Sequence, residues 1–490
     1  MNLEKIKTLG DLKKTAYKPQ SIKSEIRENL RKKLQAKEPL FKEVIGYDET
    51  VIPDVERALL SRHNILFLGL RGQAKTRMAR LMVDLLDEYI PYISGNELND
   101  DPLEPITKHG QEQVNELGDK TPISWLHRSE RYVEKLATPD VSVADLIGDV
   151  DPIKAASLKL PYSDPRVLHF GLIPRSHRCI FVINELPDLQ ARIQVALFNI
   201  LQEGDIQIRG FKMALPLDIQ FVFTANPEDY TNRGSIITPL KDRIESQILT
   251  HYPEELDESK AITAQEAQIT EEQKSAIKIH PWMLDLLELV SFEARISDFV
   301  DEKSGVSARL SISALENLYS TVERRMLING EKSSTARITD LWGIIPAITG
   351  KVELVYEGEQ EGPHQVALSF IGGAVKNMFL RFFVNPNKLK KSAENDPYGV
   401  IKAFFAGGNE VELLNDASDK DFNEALNQVA GLETLVADMG ASKADVEFLK
   451  ELMIYGLSEL EVVNKDFLGT GSSFSDPLAD MWDDLTSDDI

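Results

Sequence analysis

The stretch ILFLGLRGQAKT (65–76) decides the fold of this chain. Its first four residues, Ile65–Leu68, form an apolar run of the kind found in a strand buried within a sheet. A glycine-containing turn follows, and RMARLMVDLLDEY (77–89) then has the apolar spacing of a helix. A strand, such a loop and a helix start together form a cradle for phosphate. Backbone N–H groups point inward, Lys75 reaches the terminal phosphates and the Thr76 hydroxyl binds Mg²⁺.

The predicted cofactors are therefore a nucleoside triphosphate and Mg²⁺. The candidate cofactor-binding residues are Gly69, Gly72, Gln73, Ala74, Lys75, Thr76 and Arg77. The usual pattern has a glycine directly before the lysine, where this chain has Ala74. A methyl group is tolerable there if the backbone is not forced to positive φ. The alternative interpretation is an ordinary strand–turn–helix with a lysine on the surface.

Length and charge bound the possible functions. A chain of 490 residues is too long for one compact core, so we expect two to four domains. The formal charge is −24; residues 1–42 hold 12 Lys or Arg against 5 Asp or Glu, and residues 409–490 hold 4 against 20. Such a surface repels phosphates, so non-specific nucleic-acid binding is not expected. The basic first segment could act locally, although a solvated amphipathic helix is the favoured alternative.

Cysteine usage and hydropathy indicate the compartment. Cys179 is the only cysteine, so no disulfide forms within the chain, which is typical of a reducing compartment. No apolar run of about 18 residues and no signal peptide appear. We expect a cytoplasmic protein without membrane insertion. Its 8 histidines show no metal-ligand spacing, and none is assigned to a metal.

The order of predicted elements indicates the fold class. Further strands are predicted at RYVEKLA (131–137), RCIFVINEL (178–186), DIQFVFTANP (218–227) and SQILTHYP (246–253). Helices are predicted at residues 22–42, 44–64 and 189–204, the last closed by Gly204, with a short helix and a turn at 142–151. Residues 205–217 are predicted to form a hairpin, and the Pro-, Gly- and Asp-rich residues 90–130 an inserted loop region. Strands that alternate with helices predict an α/β fold with a doubly wound parallel sheet.

The pattern changes after residue 254, where the sequence predicts helices only up to residue 350 and mostly helices from 365 to 455, after the linker EGEQEGP (357–363). The predicted divisions are a basic N-terminal helical segment (1–42), an α/β nucleotide-binding core (43–254), a helical lid (255–355), a helical C-terminal domain (356–468) and an acidic disordered tail (469–490). Met481, Trp482 and Leu485 in this tail could dock onto a basic, apolar groove of a partner, although a solubilising tail is favoured.

Nucleotide hydrolysis also needs a residue that polarises the attacking water and support for the metal. The strand around IFVI (180–183) ends in Asn184 and Glu185. Glu185 is the candidate water-polarising base, and a surface glutamate is the alternative. Asn184 and Thr76 are the candidate metal-site residues. The Asn184 amide can accept a hydrogen bond from a metal-bound water but lacks the negative charge of a carboxylate, which predicts weaker Mg²⁺ binding and slow turnover. The alternative is that Thr76 and the phosphates hold the metal well enough.

Three further side chains are candidates for catalysis. Asn226 lies at the end of the predicted strand 218–227, where its side chain could position the attacking water, although asparagine is also common in turns. Arg243 in SIITPLKDRI (235–244) could neutralise charge at the phosphate site of a neighbouring subunit, and Arg233 is a second candidate for that role. Arg309 in VSARLSISALENL (306–318) starts a helix from which it could touch the γ-phosphate. Solvated or salt-bridged arginines are the alternative.

With these residues in place, the chain resembles the AAA+ ATPases, specifically the MoxR and magnesium-chelatase I-subunit clade, over about residues 40–350. GLRGQAKT (69–76) resembles the clade's phosphate-binding loop, which often carries Ala before the Lys. Residues 181–210 resemble its Walker B strand, the following helix and the inserted hairpin, and GLIPRSHR (171–178) the segment before them. FTANPEDY (223–230) resembles the clade's sensor 1. PLKDRI (239–244) resembles its arginine-finger helix, and SARLS (307–311) resembles the segment with its sensor 2 arginine.

The resemblance implies ATP as the nucleotide, a homo-hexameric ring with nucleotide between subunits, and a partner protein with a von Willebrand factor A domain. Such pairs remodel protein clients or act in metal insertion. Asn184 departs from the family's usual Asp. The leading hypothesis is an ATP-hydrolysing ring motor, and the second is a nucleotide-gated assembly scaffold with little turnover. A transcription activator of the bacterial enhancer-binding type is disfavoured because the sequence lacks the GAFTGA loop.

Overall fold

The computed structural model separates into two compact units, Met1–Tyr252 and Pro253–Ile490. The structure describes residues 3–159, 161, 167–203, 206–208, 211–213, 215–227, 235–389 and 396–477. Within those ranges, no helix combines the length and apolarity that a membrane crossing requires. The first unit includes the basic segment 1–42, and the second is one compact unit up to the C-terminus. The predicted boundaries at residues 43, 355 and 468 stay predictions.

The first unit contains the nucleotide-binding region predicted from the sequence. Its described strands are β1 (Ile65–Leu68), β2 (Tyr89–Ile93), β3 (Ile123–His127), β4 (Tyr132–Leu136), β5 (Gly148–Val150), β6 (Leu168–Phe170), β7 (Cys179–Asn184), β8 (Ile206–Ile208), β9 (Phe211–Met213), β10 (Ile219–Ala225) and β11 (Ser246–Leu249). Its described helices are α1 (Leu9–Lys13), α2 (Ile22–Gln35), α3 (Val51–Leu60), α4 (Lys75–Leu81), α5 (Lys108–Leu117), α6 (Val143–Leu146), α7 (Pro152–Leu158), α8 (Leu172–Arg175), α9 (Ala191–Glu203) and α10 (Thr238–Lys241).

A five-stranded parallel sheet with the order β11-β1-β10-β7-β4 organises this unit, which confirms the predicted α/β fold class. The chain passes from β1 to the far edge at β4, returns through β7 and β10, and crosses to β11 on the other side of β1. Pairing of Leu68 with both Ala225 and Leu249 brings the carboxyl ends of β1, β10 and β11 level. Ligands of open parallel sheets bind at this carboxyl edge, where the strand order reverses.

Both faces of the sheet are covered, as the continuous apolar runs of β1, β7 and β10 require. Ile65, Phe67 and Val182 pack on the face covered by α2, α3 and α4. Phe181 and Phe223 point to the opposite face, which is covered mainly by α9. Because successive strand residues alternate between faces, Asn184 and Thr224 share the face of α4.

The N-terminal helix α2 is part of this core. Its apolar residues Ile22, Ile26 and Leu30 are buried, as the amphipathic interpretation predicts. Glu25 on the same helix forms a buried ion pair with Arg131, with N–O distances of 2.6 and 2.7 Å. Because a buried charge is stable only when it is paired, this contact fixes the position of α2 on the sheet.

Two local predictions for the first unit are wrong. Residues 90–130 are not an inserted loop region, since β2 and β3 pair antiparallel and α5 is capped by the Thr107 side chain. The turn predicted within 142–151 contains β5, which pairs with β6. The antiparallel hairpin β8–β9 confirms the prediction for 205–217. Gly204, predicted to close α9, lies outside the described residues.

The second unit is mainly helical, as predicted. Its described helices are α11 (Leu256–Glu266), α12 (Glu271–Ala276), α13 (Pro281–Ile296), α14 (Arg309–Asn329), α15 (Ile345–Thr349), α16 (Tyr356–Glu361), α17 (Pro363–Phe382), α18 (Gly399–Ala406), α19 (Asp419–Asn427), α20 (Leu432–Asp438) and α21 (Val446–Glu459). Its described strands are β12 (Ile277–Lys278), β13 (Ser334–Thr335), β14 (Val411–Leu414), β15 (Asn464–Leu468) and β16 (Gly471–Ser475). The short pair β12–β13 corrects the prediction of helices only before residue 350.

Two segments of this unit differ from their predictions because packing overrides composition. The linker predicted at 357–363 begins within α16, where Gly358 packs closely against the Phe299 backbone. The tail predicted to be disordered from residue 469 includes β16, the central strand of a three-stranded antiparallel sheet. Phe474 anchors β16, since its ring is fully buried and lies edge-on to Tyr455 at 5.1 Å. Residues 478–490, with Met481, Trp482 and Leu485, lie outside the described residues.

Candidate functional site

The backbone of the loop between β1 and α4 is shaped by two residues in left-handed conformations. Gly72 has φ 75° and Ala74 has φ 54°. We expect alanine to be tolerated before Lys75 only if φ is not forced to be positive. The turn into α4 imposes a positive φ, so this condition is not met. Gly69 is needed for a different reason, since a Cβ there would collide with the Thr250 hydroxyl and the Gln73 side chain.

The Lys75 side chain folds back onto the backbone of this loop. Its ammonium group donates hydrogen bonds to the carbonyl oxygens of Gly69 and Leu70, the latter at 2.7 Å. It also donates to the side-chain oxygen of Asn226, again at 2.7 Å. Two predicted site residues, one at the start of α4 and the other directly after β10, are thus brought together at the carboxyl edge of the sheet.

Thr76 and Asn184, the predicted metal-site residues, are also in contact. The Thr76 hydroxyl donates to Asn184 Oδ1 at 3.2 Å, and the Thr224 hydroxyl donates to the same oxygen at 3.1 Å. The Asn184 amide presents its oxygen to both hydroxyls because its nitrogen donates to the Glu134 carboxylate, which can only accept. Thr224 in turn accepts a hydrogen bond of 3.1 Å from the Glu185 backbone N–H, which ties the ends of β7 and β10 together.

Glu134 is a site residue that the sequence did not reveal. Its carboxylate accepts a 2.6 Å hydrogen bond from Asn184 Nδ2, and Arg80 and the Tyr132 hydroxyl also donate to it. Burial raises the pKa of Glu134, but the hydrogen bonds from Arg80, Tyr132 and Asn184 outweigh it and hold that pKa below its usual value. The signal in the sequence was the pair of charged residues, Glu134 and Lys135, within the strand β4.

Side chains from the end of β11 and from the segment before α3 hold the loop in place. The buried Gln73 accepts a 2.7 Å hydrogen bond from Thr250. The Tyr47 hydroxyl donates to the carbonyl oxygens of Gln73 and His251 at 3.1 and 2.7 Å, and burial raises its pKa. The Tyr252 hydroxyl donates to the carbonyl oxygen of Arg71 at 2.9 Å. Because the loop is anchored at three points, its conformation is fixed before any ligand arrives.

Glu185 directly follows β7, as predicted, in an unusual conformation. Its φ and ψ are 57° and 51°, in the left-handed region that costs a non-glycine residue about 1–2 kcal/mol. Such strain persists where the surrounding structure enforces it, and it concentrates at functional sites. The hydrogen bond from the Glu185 N–H to Thr224 is one contact that enforces it here. The role of its carboxylate as the base stays a prediction.

The four predicted arginines lie in different places. Arg77 donates to Glu43 at 3.0 Å. Arg243, just after α10, donates to Gln202 at 2.9 Å and to the Pro239 carbonyl at 2.7 Å, and stacks on the Phe198 ring. Arg309 begins α14 in the second unit and is exposed. Arg233 lies outside the described residues. Their contacts with phosphate stay predictions.

Comparison with known proteins adds little. No protein-family model matches this chain. One similar structure is a candidate ATPase from Cytophaga hutchinsonii, with 14% identity over 71% of this chain and 95% of the other, and a TM-score of 0.30. Another is NtrX from Brucella abortus in complex with ATP, with 13% identity over 86% and 72% of the two chains, and a TM-score of 0.35. Similarity at these scores decides nothing about function.

Proposed function

We propose that this chain binds ATP and Mg²⁺ at the loop of residues 69–76 and hydrolyses the γ-phosphate bond. The observation that carries the proposal is the convergence of Lys75, Thr76, Asn184 and Asn226 at the carboxyl edge of a parallel sheet, where hydrogen bonds already connect them in pairs. A surface lysine on an ordinary turn would have no reason to meet a buried asparagine from a neighbouring strand.

The residues fit the ligand. Gly69 and Gly72 carry no side chain, so the loop backbone can approach phosphate oxygens closely at these two positions, as at other helix starts. Lys75 would exchange its carbonyl contacts for the terminal phosphates. Thr76 and, through water, Asn184 would hold Mg²⁺, which when bound neutralises charge on the phosphate oxygens.

The remaining site residues supply the proton chemistry. Glu185 would accept the proton of the attacking water, a contribution that is typically worth about 10²–10⁴ in rate. Asn226 would orient that water, since its amide lies on the same sheet edge and contacts Lys75. Thr224 acts through the backbone of Glu185 and is therefore a positioning residue.

We further propose that the chain is a AAA+ ring motor of the MoxR or magnesium-chelatase type. The parallel sheet followed by a helical unit supports this proposal, together with the motifs in the sequence. The proposal includes a homo-hexameric ring, a partner with a von Willebrand factor A domain and a protein client. Arg243 would act on the nucleotide of the neighbouring subunit, and Arg309 would contact the γ-phosphate.

Mixing two inactive variants tests the role of Arg243. Lys75→Ala and Arg243→Ala chains should each lack ATPase activity. An equal mixture should recover about a quarter of the wild-type rate, because that fraction of neighbouring pairs in a ring combines an intact Lys75 with an intact Arg243. Arg192→Ala, an exposed arginine on α9, is the control and should keep full activity. Mixed assemblies without any recovered activity would contradict action between subunits.

A nucleotide-gated scaffold is the alternative function, and the amide at Asn184 is the observation that favours it. A site without a carboxylate at that position would bind nucleotide yet turn it over slowly. The scaffold predicts ATP-dependent assembly, measured by analytical ultracentrifugation, that is the same for wild type and Glu185→Gln, and no hydrolysis above that of Lys75→Ala. Hydrolysis that Glu185→Gln abolishes would exclude it.

A further inference from the structure

We propose that Glu134 supplies the negative charge that Asn184 lacks, acting on the metal site through the Asn184 side-chain amide. This inference rests on the proposed binding of ATP and Mg²⁺. It makes Glu134 a positioning residue rather than a metal ligand. The role that an aspartate usually has is then shared by two residues on neighbouring strands, the amide of Asn184 and the carboxylate of Glu134.

Strand register places the two residues together. Leu136 at the end of β4 pairs with Asn184, and Glu134 pairs with Val182. Because strand side chains alternate, Glu134, Val182 and Asn184 share one face, which is the face that α4 covers. The Glu134 side chain therefore lies beside that of Asn184, and the two are joined by the 2.6 Å hydrogen bond from Nδ2.

The Asn184 amide, which lies between Glu134 and Thr76, has only one possible orientation. Its oxygen accepts from the hydroxyls of Thr76 and Thr224, and its nitrogen donates to the carboxylate. A carboxylate at the nitrogen side polarises an amide and makes its oxygen a stronger acceptor. That oxygen faces Thr76, the predicted metal ligand, so the charge of Glu134 reaches the metal site through Asn184.

Arg80 holds Glu134 in place without cancelling its effect. The guanidinium donates two hydrogen bonds to the carboxylate, at 2.9 and 3.1 Å. The Arg80 side chain is 63% exposed and that of Glu134 only 23%. Solvent therefore screens the cation more than the anion. Tyr132 adds a hydrogen bond of 2.9 Å from the same strand.

This arrangement reverses the simplest expectation for position 184. Asn184→Asp would place a second carboxylate at hydrogen-bond distance from Glu134, where two like charges repel each other. The asparagine is thus the residue that Glu134 requires, and the substitution should not improve Mg²⁺ binding while Glu134 is present. Exchanging the two groups, with aspartate at 184 and glutamine at 134, should keep one carboxylate and one amide in contact.

A double-mutant cycle in the full-length chain tests the pair. The variants are Glu134→Gln, Asn184→Asp and the two combined, with Glu130→Gln, an exposed glutamate before β4, as the control. One readout is the Mg²⁺ concentration that half-saturates binding of methylanthraniloyl-labelled ATP. The other is the thermal unfolding midpoint without nucleotide or Mg²⁺, which does not depend on activity.

Glu134→Gln should raise the half-saturating Mg²⁺ concentration about tenfold, as loss of other second-layer partners of metal ligands does. Asn184→Asp alone should lower the unfolding midpoint without tightening Mg²⁺ binding. The combined variant should return both readouts to near wild type. Additive effects, or tighter Mg²⁺ binding by Asn184→Asp alone, would overturn the inference. Failure of the wild-type chain to bind the labelled nucleotide at any Mg²⁺ concentration would overturn the proposed function as well.

Discussion

Asn184 and Glu134 are joined by a 2.6 Å hydrogen bond from an amide nitrogen to a carboxylate oxygen, across two neighbouring parallel strands. The contact links the edge strand of the sheet to the loop that begins α4, since the Asn184 oxygen accepts from Thr76. Asn184, which stands where an aspartate is usual, therefore makes three side-chain hydrogen bonds in this structure.

Ala74 should be the less stable choice at its position. A residue other than glycine in the left-handed conformation costs about 1–2 kcal/mol, which glycine avoids. Glycine gives back part of this advantage because its unfolded chain has more conformational entropy. Ala74→Gly should therefore raise the free energy of unfolding by about 1 kcal/mol. Gly72→Ala, at φ 75°, should lower it by about the same amount. Both effects are measured by urea unfolding, and a loss of stability in Ala74→Gly would contradict the strained geometry.

Glu185→Gln should separate binding from chemistry. The amide cannot accept a proton from water, so ATP hydrolysis should fall by about 10²-fold or more. Affinity for ATP should change little, because the phosphates are held by the loop and Lys75. Glu49→Gln, an exposed glutamate before α3, is the control in a phosphate-release assay. An unchanged hydrolysis rate in Glu185→Gln would remove this residue from the mechanism.

Glu451 should make the second unit less stable as pH rises. Burial raises the pKa of Glu451 from 4.5 to about 7, and Asp340 adds to the shift while backbone N–H groups and Arg337 oppose it. Below pH 4.5 this carboxyl is protonated in both states, and above about 7 the folded state must bury a charge. Stability should therefore fall across that window, by on the order of 3 kcal/mol.

Glu451→Gln should remove this part of the pH dependence. The glutamine can still accept the 2.9 Å hydrogen bond that the Thr339 N–H donates to Glu451. Urea unfolding followed by tryptophan fluorescence, at about pH 5 and about pH 8, measures the difference between wild type and variant. If the free energy of unfolding changed equally with pH in the two proteins, Glu451 would not ionise between these pH values.

Two adjacent arginines on α14 should differ sharply in their contribution to stability. Arg325 is buried and pairs with Asp340 at 3.0 Å and with Asp419 at 2.8 Å. Arg325→Met leaves the buried Asp340 carboxylate without its ion-pair partner, whereas Asp419 keeps its contact with Arg337, and the change should cost about 3–5 kcal/mol. Arg324, whose partner Asp416 is exposed, should tolerate the same change within about 1 kcal/mol. Similar losses for both variants in urea unfolding would contradict the buried network.

The sequence predicted the centre of the site because the chemistry lies at strand ends. Asn184 and Asn226 lie at the ends of apolar runs, Lys75 follows the loop after a third, and the carboxyl ends of parallel strands meet at one edge. Glu134 escaped prediction because it lies two residues before the end of β4. Its contact with Asn184 depends on strand register, which spacing along the chain does not specify.

Backbone conformation and tertiary packing account for the other differences. The positive φ of Ala74 arises from the turn into α4 and leaves no trace in residue type. Residues 357–361 and 471–475 have the composition of a linker and of a disordered tail. Close packing at Gly358 and burial of Phe474 order them, and such long-range contacts are invisible to local propensity.

Isothermal titration calorimetry of ATP into the full-length chain, under saturating Mg²⁺, tests the central claim most directly. We predict one nucleotide per chain for wild type and for Lys42→Ala, an exposed lysine outside the loop, and no detectable uptake by Lys75→Ala. Absence of heat from wild type with either ATP or GTP, or equal affinity in Lys75→Ala, would contradict nucleotide binding at this loop.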